Sequence, residues 1–135
     1  MTIENAVLRS EIDLVRHGAG DAEALMGSLR RSVLYVPCAG EVPADPAATP
    51  RAVRSGDQGG IRWIYAFTTP TELADFLLAR GEGEDEVGYL TVRGDRLLDV
   101  AVPALGVPGG VAVDVAGDRP MLFPAVPGQE KGEED

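Results

Sequence analysis

Apolar residues recur at helical spacing near the start of the chain and at strand spacing through its middle, and the change of period outlines a fold. Leu8, Ile12 and Val15 fall at i, i+4, i+7, with Glu4, Glu11, Asp13 and Arg16 left for the wet face, which predicts a helix over residues 4–17. Gly18 and Gly20 stop it, because glycine readily takes the left-handed C-cap conformation. Asp21 is placed to cap a second short helix that turns Leu25, Met26 and Leu29 inward. Residues 32–36 (Ser-Val-Leu-Tyr-Val) are β-branched and aromatic and read as a strand closed by Pro37. Residues 39–60, rich in proline and glycine and poor in large apolar side chains, read as a long loop.

The best strand is residues 61–67 (Ile-Arg-Trp-Ile-Tyr-Ala-Phe), apolar on both faces and therefore expected in the centre of a sheet covered on two sides. It runs into Thr69-Pro70-Thr71-Glu72, a capping box with proline at the first helical position. Leu73, Phe76, Leu77 and Arg80 continue at helical spacing until Gly81. Residues 87–92 predict a further strand, with a turn at Arg93-Gly94-Asp95; for residues 97–101 the period does not choose between helix and strand. Residues 111–115 and 121–123 flank Ala116-Gly117-Asp118-Arg119 and read as a hairpin. This pattern predicts an α+β (or α/β) domain over residues 1–124, with one small mixed sheet of about five strands packed by two to four helices. Residues 125–135 are expected to be a disordered acidic tail.

Charge narrows the class of function. Of the formal −10, residues 82–86 carry −4 and residues 129–135 carry −3, which leaves −3 for the rest. A mildly acidic body argues against nucleic-acid binding and against docking on anionic lipid, both of which need clustered Lys and Arg. With one cysteine there is no internal disulfide, and a reducing, cytoplasmic location is the expectation. No signal-peptide layout or bilayer-length apolar run is present.

Familiar catalytic devices do not assemble. Cys38 and His17 are the only residues able to form a thiolate–imidazole pair, but no local signature surrounds Cys38, and a lone buried cysteine usually behaves as a small hydrophobe. One histidine is too few for the common zinc sets, and residues 82–86 do not follow the order of an EF-hand loop, so no metal and no cofactor is expected. Phosphate-binding glycine motifs and a Gly-x-Ser-x-Gly elbow are missing. Arg51 and Arg54 in the long loop, with Arg62 beside it, are candidates for gripping an acidic partner segment. Tyr35, Trp63 and Tyr65 are candidates for lining a pocket under the same loop.

The order of elements also resembles a known family. Leu34-Tyr35-Val36-Pro37, the Tyr65–Leu73 segment Tyr-Ala-Phe-Thr-Thr-Pro-Thr-Glu-Leu, the pair Leu97-Leu98 and Gly110-Val111-Ala112-Val113-Asp114 together resemble the SseB N-terminal domain family, as in short stand-alone actinobacterial members. The final strand reads Ala-Val-Asp-Val where members often carry an Asn-Pro pair. The resemblance implies a small mixed sheet with helices against it, no mapped catalytic residue and a protein-binding role. The leading expectation is thus a non-catalytic protein-interaction module (adaptor, regulatory or immunity-type), with an unknown protein partner or a homodimer through an open sheet edge. A small-molecule sensor is the alternative, followed by an enzyme that uses Cys38.

Overall fold

A computed structural model describes residues 3–38, 53–82, 87–117 and 120–125. Two helices open the chain: α1 (Ile3–Arg16) and α2 (Ala22–Arg31), with the Asp21 carboxylate accepting from the Glu23 amide as N-cap. Leu8 and Ile12 from α1 and Leu25 and Leu29 from α2 are buried together, as the spacing requires. Strand β1 (Val33–Pro37) follows, then β2 (Ser55–Gln58), β3 (Ile61–Ala66) and α3 (Pro70–Ala79). Next come β4 (Tyr89–Arg93), a helical stretch α4 over residues 94–104, and strands β5 (Gly109–Val113) and β6 (Met121–Ala125).

The class is mixed α+β, as expected, but the strands form two sheets where one was predicted. A four-stranded sheet has the order β2-β3-β5-β6, with β3 and β5 parallel and the outer pairs antiparallel; β1 and β4 make a separate antiparallel pair. Tyr35 exchanges both backbone hydrogen bonds with Phe67, and Cys38, just past β1, bridges Val53, so among the described residues β1 meets the larger sheet through isolated links and not a continuous ladder. The sheet splits there because Arg54 donates its amide to Pro37 O while its carbonyl accepts from Tyr65, placing β1 and β3 on either side of the same residue.

Strand β2 lies inside residues 39–60, which the sequence presents as loop. Its residues Ser-Gly-Asp-Gln have no apolar alternation, and pairing with β3 makes the strand. Gly59 and Gly60 both have positive φ (65° and 80°), the condition for a two-residue turn that matches strand twist. Residues 39–52, the acidic residues 83–86 and the tail from 126 onward lie outside the described residues.

Residues 97–101, undecided by period, are helical. Val102 donates to Leu97 O five residues back, a π-type turn. Pro103 has no amide hydrogen to give and its ring crowds the preceding turn, which accounts for the widening. Leu97, Leu98, Ala101 and Val102 face the core, so Arg93-Gly94-Asp95 leads directly into α4.

Strand β3 divides the interior. Ile64 and Ala66 join the main core with Leu34, Val36, Val111, Val113 and the helical residues. On the opposite face Phe67, with Tyr65 and Tyr35 beside it, packs under Leu73 and Phe76 of α3. Thr69 Oγ1 accepts from the Glu72 amide as the capping box predicts. One residue earlier, the Thr68 amide and hydroxyl donate to the two carboxylate oxygens of Asp114, at 2.9 and 2.8 Å. Asp114 is 2% exposed and has φ 54°, while its own amide donates to Ala66 O. This residue therefore ties the ends of β3 and β5 to the start of α3 through charge-assisted bonds, which are stronger than neutral ones.

Asp114→Ala removes both acceptors and the residue's tolerance for left-handed backbone, and should lower stability by about 2–4 kcal/mol. Asp114→Asn, which keeps one acceptor oxygen and the backbone tolerance, should lose less. Urea midpoints of the two variants check this; an unchanged midpoint for the alanine variant would show that the clamp adds no stability.

Candidate functional site

Alternation along β3 sends Trp63 and Tyr65 to the outer face of the four-stranded sheet, the same face that α3 covers at Phe67. The helix covers only that end. Beyond it the face stays open, forming a groove of about 250 Å³ lined by Trp63, Tyr65, Ala112, Val115 and Leu122, with Gly56, Asp57, Gln58 and Arg80 around them. Register explains the depression. Trp63 has Gly56 on one side and Gly110 on the other, and Tyr65 has Ala112, so the aromatic side chains stand among small neighbours.

Two glycines make room for the rings. A Cβ at Gly110 would come within 2.6 Å of both Trp63 Cζ3 and Phe123 O, and one at Gly56 would overlap the Tyr65 hydroxyl. The indole thus packs directly on the β5 backbone and donates from Nε1 to Gln58 O at 3.2 Å. On the far side of β5, Leu122 of β6 sits opposite Ala112 and remains 44% exposed.

Arg80, at the C-terminus of α3, forms the polar side of the groove. Its guanidinium carbon lies 4.6 Å from the Phe76 ring centroid and 5.1 Å from that of Tyr65, within cation–π range. One nitrogen donates to the Tyr65 hydroxyl at 3.1 Å. The stack is closed by Tyr65 and Phe76, whose centroids are 5.0 Å apart.

The structure distributes the sequence-derived candidates unevenly. Trp63 and Tyr65 both line the groove. Arg62 stands at its border, where its guanidinium clasps Asp57 through two bonds of 2.9 and 3.1 Å, holding the Asp57 carboxyl below the usual carboxylate range. Arg54 is part-buried elsewhere, donating to Cys38 O at 3.1 Å and to both carboxylate oxygens of Glu82 at 2.7 and 2.8 Å. Tyr35 packs edge-on against Tyr89 at 5.8 Å, away from the groove lining. Arg51 lies outside the described residues. Sequence reasoning missed Arg80, Gly56, Asp57, Gln58, Ala112, Val115 and Leu122. Two signals were available: Arg80 continues the inward stripe of α3, and Gly59-Gly60 between two extended segments marks a hairpin.

Cys38 and His17 are not brought together. His17 is an exposed residue at the end of α1, its Nδ1 2.7 Å from Asp13 O. Cys38 is 2% exposed, and burial pushes its thiol up from the ordinary value, against a smaller opposite effect of Arg54. Among the described residues no group of three or more His, Cys, Asp or Glu is arranged to hold a metal. No helix among them is long and apolar enough to cross a membrane.

Since the thiolate is the reactive form and burial disfavours it, Cys38 should resist alkylation by iodoacetamide at neutral pH and react readily in denaturant. Mass spectrometry of native and unfolded protein distinguishes the two; equal rates would mean that Cys38 is not shielded in the fold.

No curated protein and no solved structure matches the chain. A family model described as SseB protein N-terminal domain matches residues 8–126, which take in every strand and the last two-thirds of α1 onward. The chain therefore belongs to the SseB N-terminal domain family.

Proposed function

We propose that this protein is a non-catalytic interaction module, of the adaptor, regulatory or immunity type, that docks a partner protein on the outer face of its four-stranded sheet. The observation that carries this reading is the groove itself: a shallow apolar depression with Trp63 8% and Ala112 1% exposed at its base, Leu122 44% exposed at its edge, and Tyr65 and Arg80 converging on it. Trp, Tyr and Arg are the residue types that dominate binding energy at protein interfaces. An apolar centre with a polar rim, here Asp57, Gln58 and Arg80, is the usual anatomy of such a surface.

Size supports the docking reading over the sensor reading. Pockets for whole small molecules run from roughly 300 to 1,000 Å³ and enclose most of the ligand. The groove, at about 250 Å³ and open on one side, suits one inserted side chain better than a complete ligand. The buried Cys38 thiol supports neither a nucleophile nor an oxidising location, and the reading places the module in the cytoplasm.

Leu122→Glu puts a charge on an exposed position of the groove and leaves the main core untouched. Affinity capture from lysate of the source organism should retain a specific partner on the wild-type chain, at least tenfold less on Leu122→Glu, with melting temperatures within a few degrees. The same partners at the same yield on both chains would remove this face as the docking surface. A ligand-dependent rise in melting temperature with no protein captured would favour the sensor reading.

A further inference from the structure

The charges around the groove are not equivalent, and the difference points to the chemistry of the partner. Each of the two described carboxylates at this end of the molecule is already answered: Asp57 by the fork of Arg62, and Glu82 by both oxygens on Arg54. Arg80 differs from these two arginines. Its guanidinium rests on Tyr65 and Phe76, one nitrogen reaches the Tyr65 hydroxyl, and among the described residues it makes no direct ion pair, although its charge acts on Glu82 from a distance. Among the described residues its other N–H donors have no acceptor, and the Tyr65 hydroxyl, which accepts from Arg80, keeps its own proton to give. Two donors therefore converge beside an apolar floor in a chain of formal charge −10.

We infer that the groove takes a segment of a partner protein in which an aromatic or branched apolar side chain is flanked by a carboxylate. The apolar group lies over Trp63, Ala112 and Leu122, and the carboxylate accepts from Arg80 and the Tyr65 hydroxyl. A guanidinium held on aromatic rings is oriented in advance, so less rotamer freedom is lost when the carboxylate arrives. Basic partner segments are disfavoured by the same Arg80. This inference rests on the docking reading above and adds the identity of the docked group.

The probes are two capped peptides, Ac-Gly-Glu-Phe-Glu-Gly-NH2 and its neutral counterpart Ac-Gly-Gln-Phe-Gln-Gly-NH2, together with N-acetylphenylalanine. Binding to the full chain is followed by amide and indole NMR; with one tryptophan in the chain, the indole N–H signal reports Trp63 without ambiguity. The acidic peptide should shift Trp63, Tyr65 and Ala112 saturably and bind about tenfold more tightly than the neutral one, as expected for a gained charge-assisted bond. Arg80→Gln should bring the two peptides to the same affinity while preserving spectral dispersion, and Arg80→Lys should recover only part of the difference. Equal binding of both peptides in the wild-type groove overturns the carboxylate and leaves the docking reading standing. Peptide shifts that avoid the groove overturn both. N-acetylphenylalanine binding as tightly as the acidic peptide replaces the protein partner with a small aromatic acid.

Discussion

Strand β3 carries large apolar side chains on both faces, and each face has to be removed from water by a different part of the chain. Ile64 and Ala66 are covered by the helices α1, α2 and α4, whose apolar stripes complete the main core with β1, β4, β5 and β6. Trp63, Tyr65 and Phe67 point the other way, and only α3 is available there, entered within three residues of the strand's end. Complete burial of a residue such as Phe67 or Phe76 contributes roughly 1.5–3 kcal/mol, so anchoring α3 over this face matters to the stability of the whole. Asp114 and Thr68 set that anchor: a buried carboxylate at the end of β5 holds the chain where it turns into the helix.

The groove is the remainder of the same arrangement. Helix α3 runs for ten residues and covers the Phe67 end of the face, while Leu122 at the other end stays 44% exposed. Glycine at 56 and 110 and alanine at 112 lower the floor, and Trp63 packs against the β5 backbone at Gly110. Most of the described arginines are engaged with internal partners, as Arg62 with Asp57, Arg54 with Glu82, Arg30 with Asp99 and Arg93 with Asp95. The exposed pairs among these add little to stability, but all of them cancel charge locally. Arg80 is held by aromatic rings instead, and its position at the edge of an apolar surface gives that surface a chemical preference.

Features read correctly along the chain are those whose cause is local. The Thr69 cap depends on residues three apart, and the inward stripe of α1 depends on residues four apart. β3 was recognisable as a central strand because both of its faces are apolar, a condition that the partner strands do not alter. By contrast, Ser55–Gln58 has no pattern of its own, and only hydrogen bonding to β3 makes it a strand. For residues 97–101 five positions are too few to show a period, and Pro103, two residues further on, shapes the turn that forms. Trp63 and Tyr65 could be nominated as site residues from their character, while Arg54 and Arg62 proved to have partners brought in from Glu82 and Asp57 by folding.

By itself the sequence determined the number and kind of most elements, the presence of two apolar faces on β3 and the family to which the chain belongs, because periodicity, capping and turn chemistry act over a few residues. Only the tertiary structure decided that β1 and β4 stand apart from the four-stranded sheet, that small residues surround Trp63, and that Arg80 lies over Tyr65 and Phe76. Those outcomes depend on register between strands distant in sequence, where a shift of one residue would turn every side chain to the opposite face.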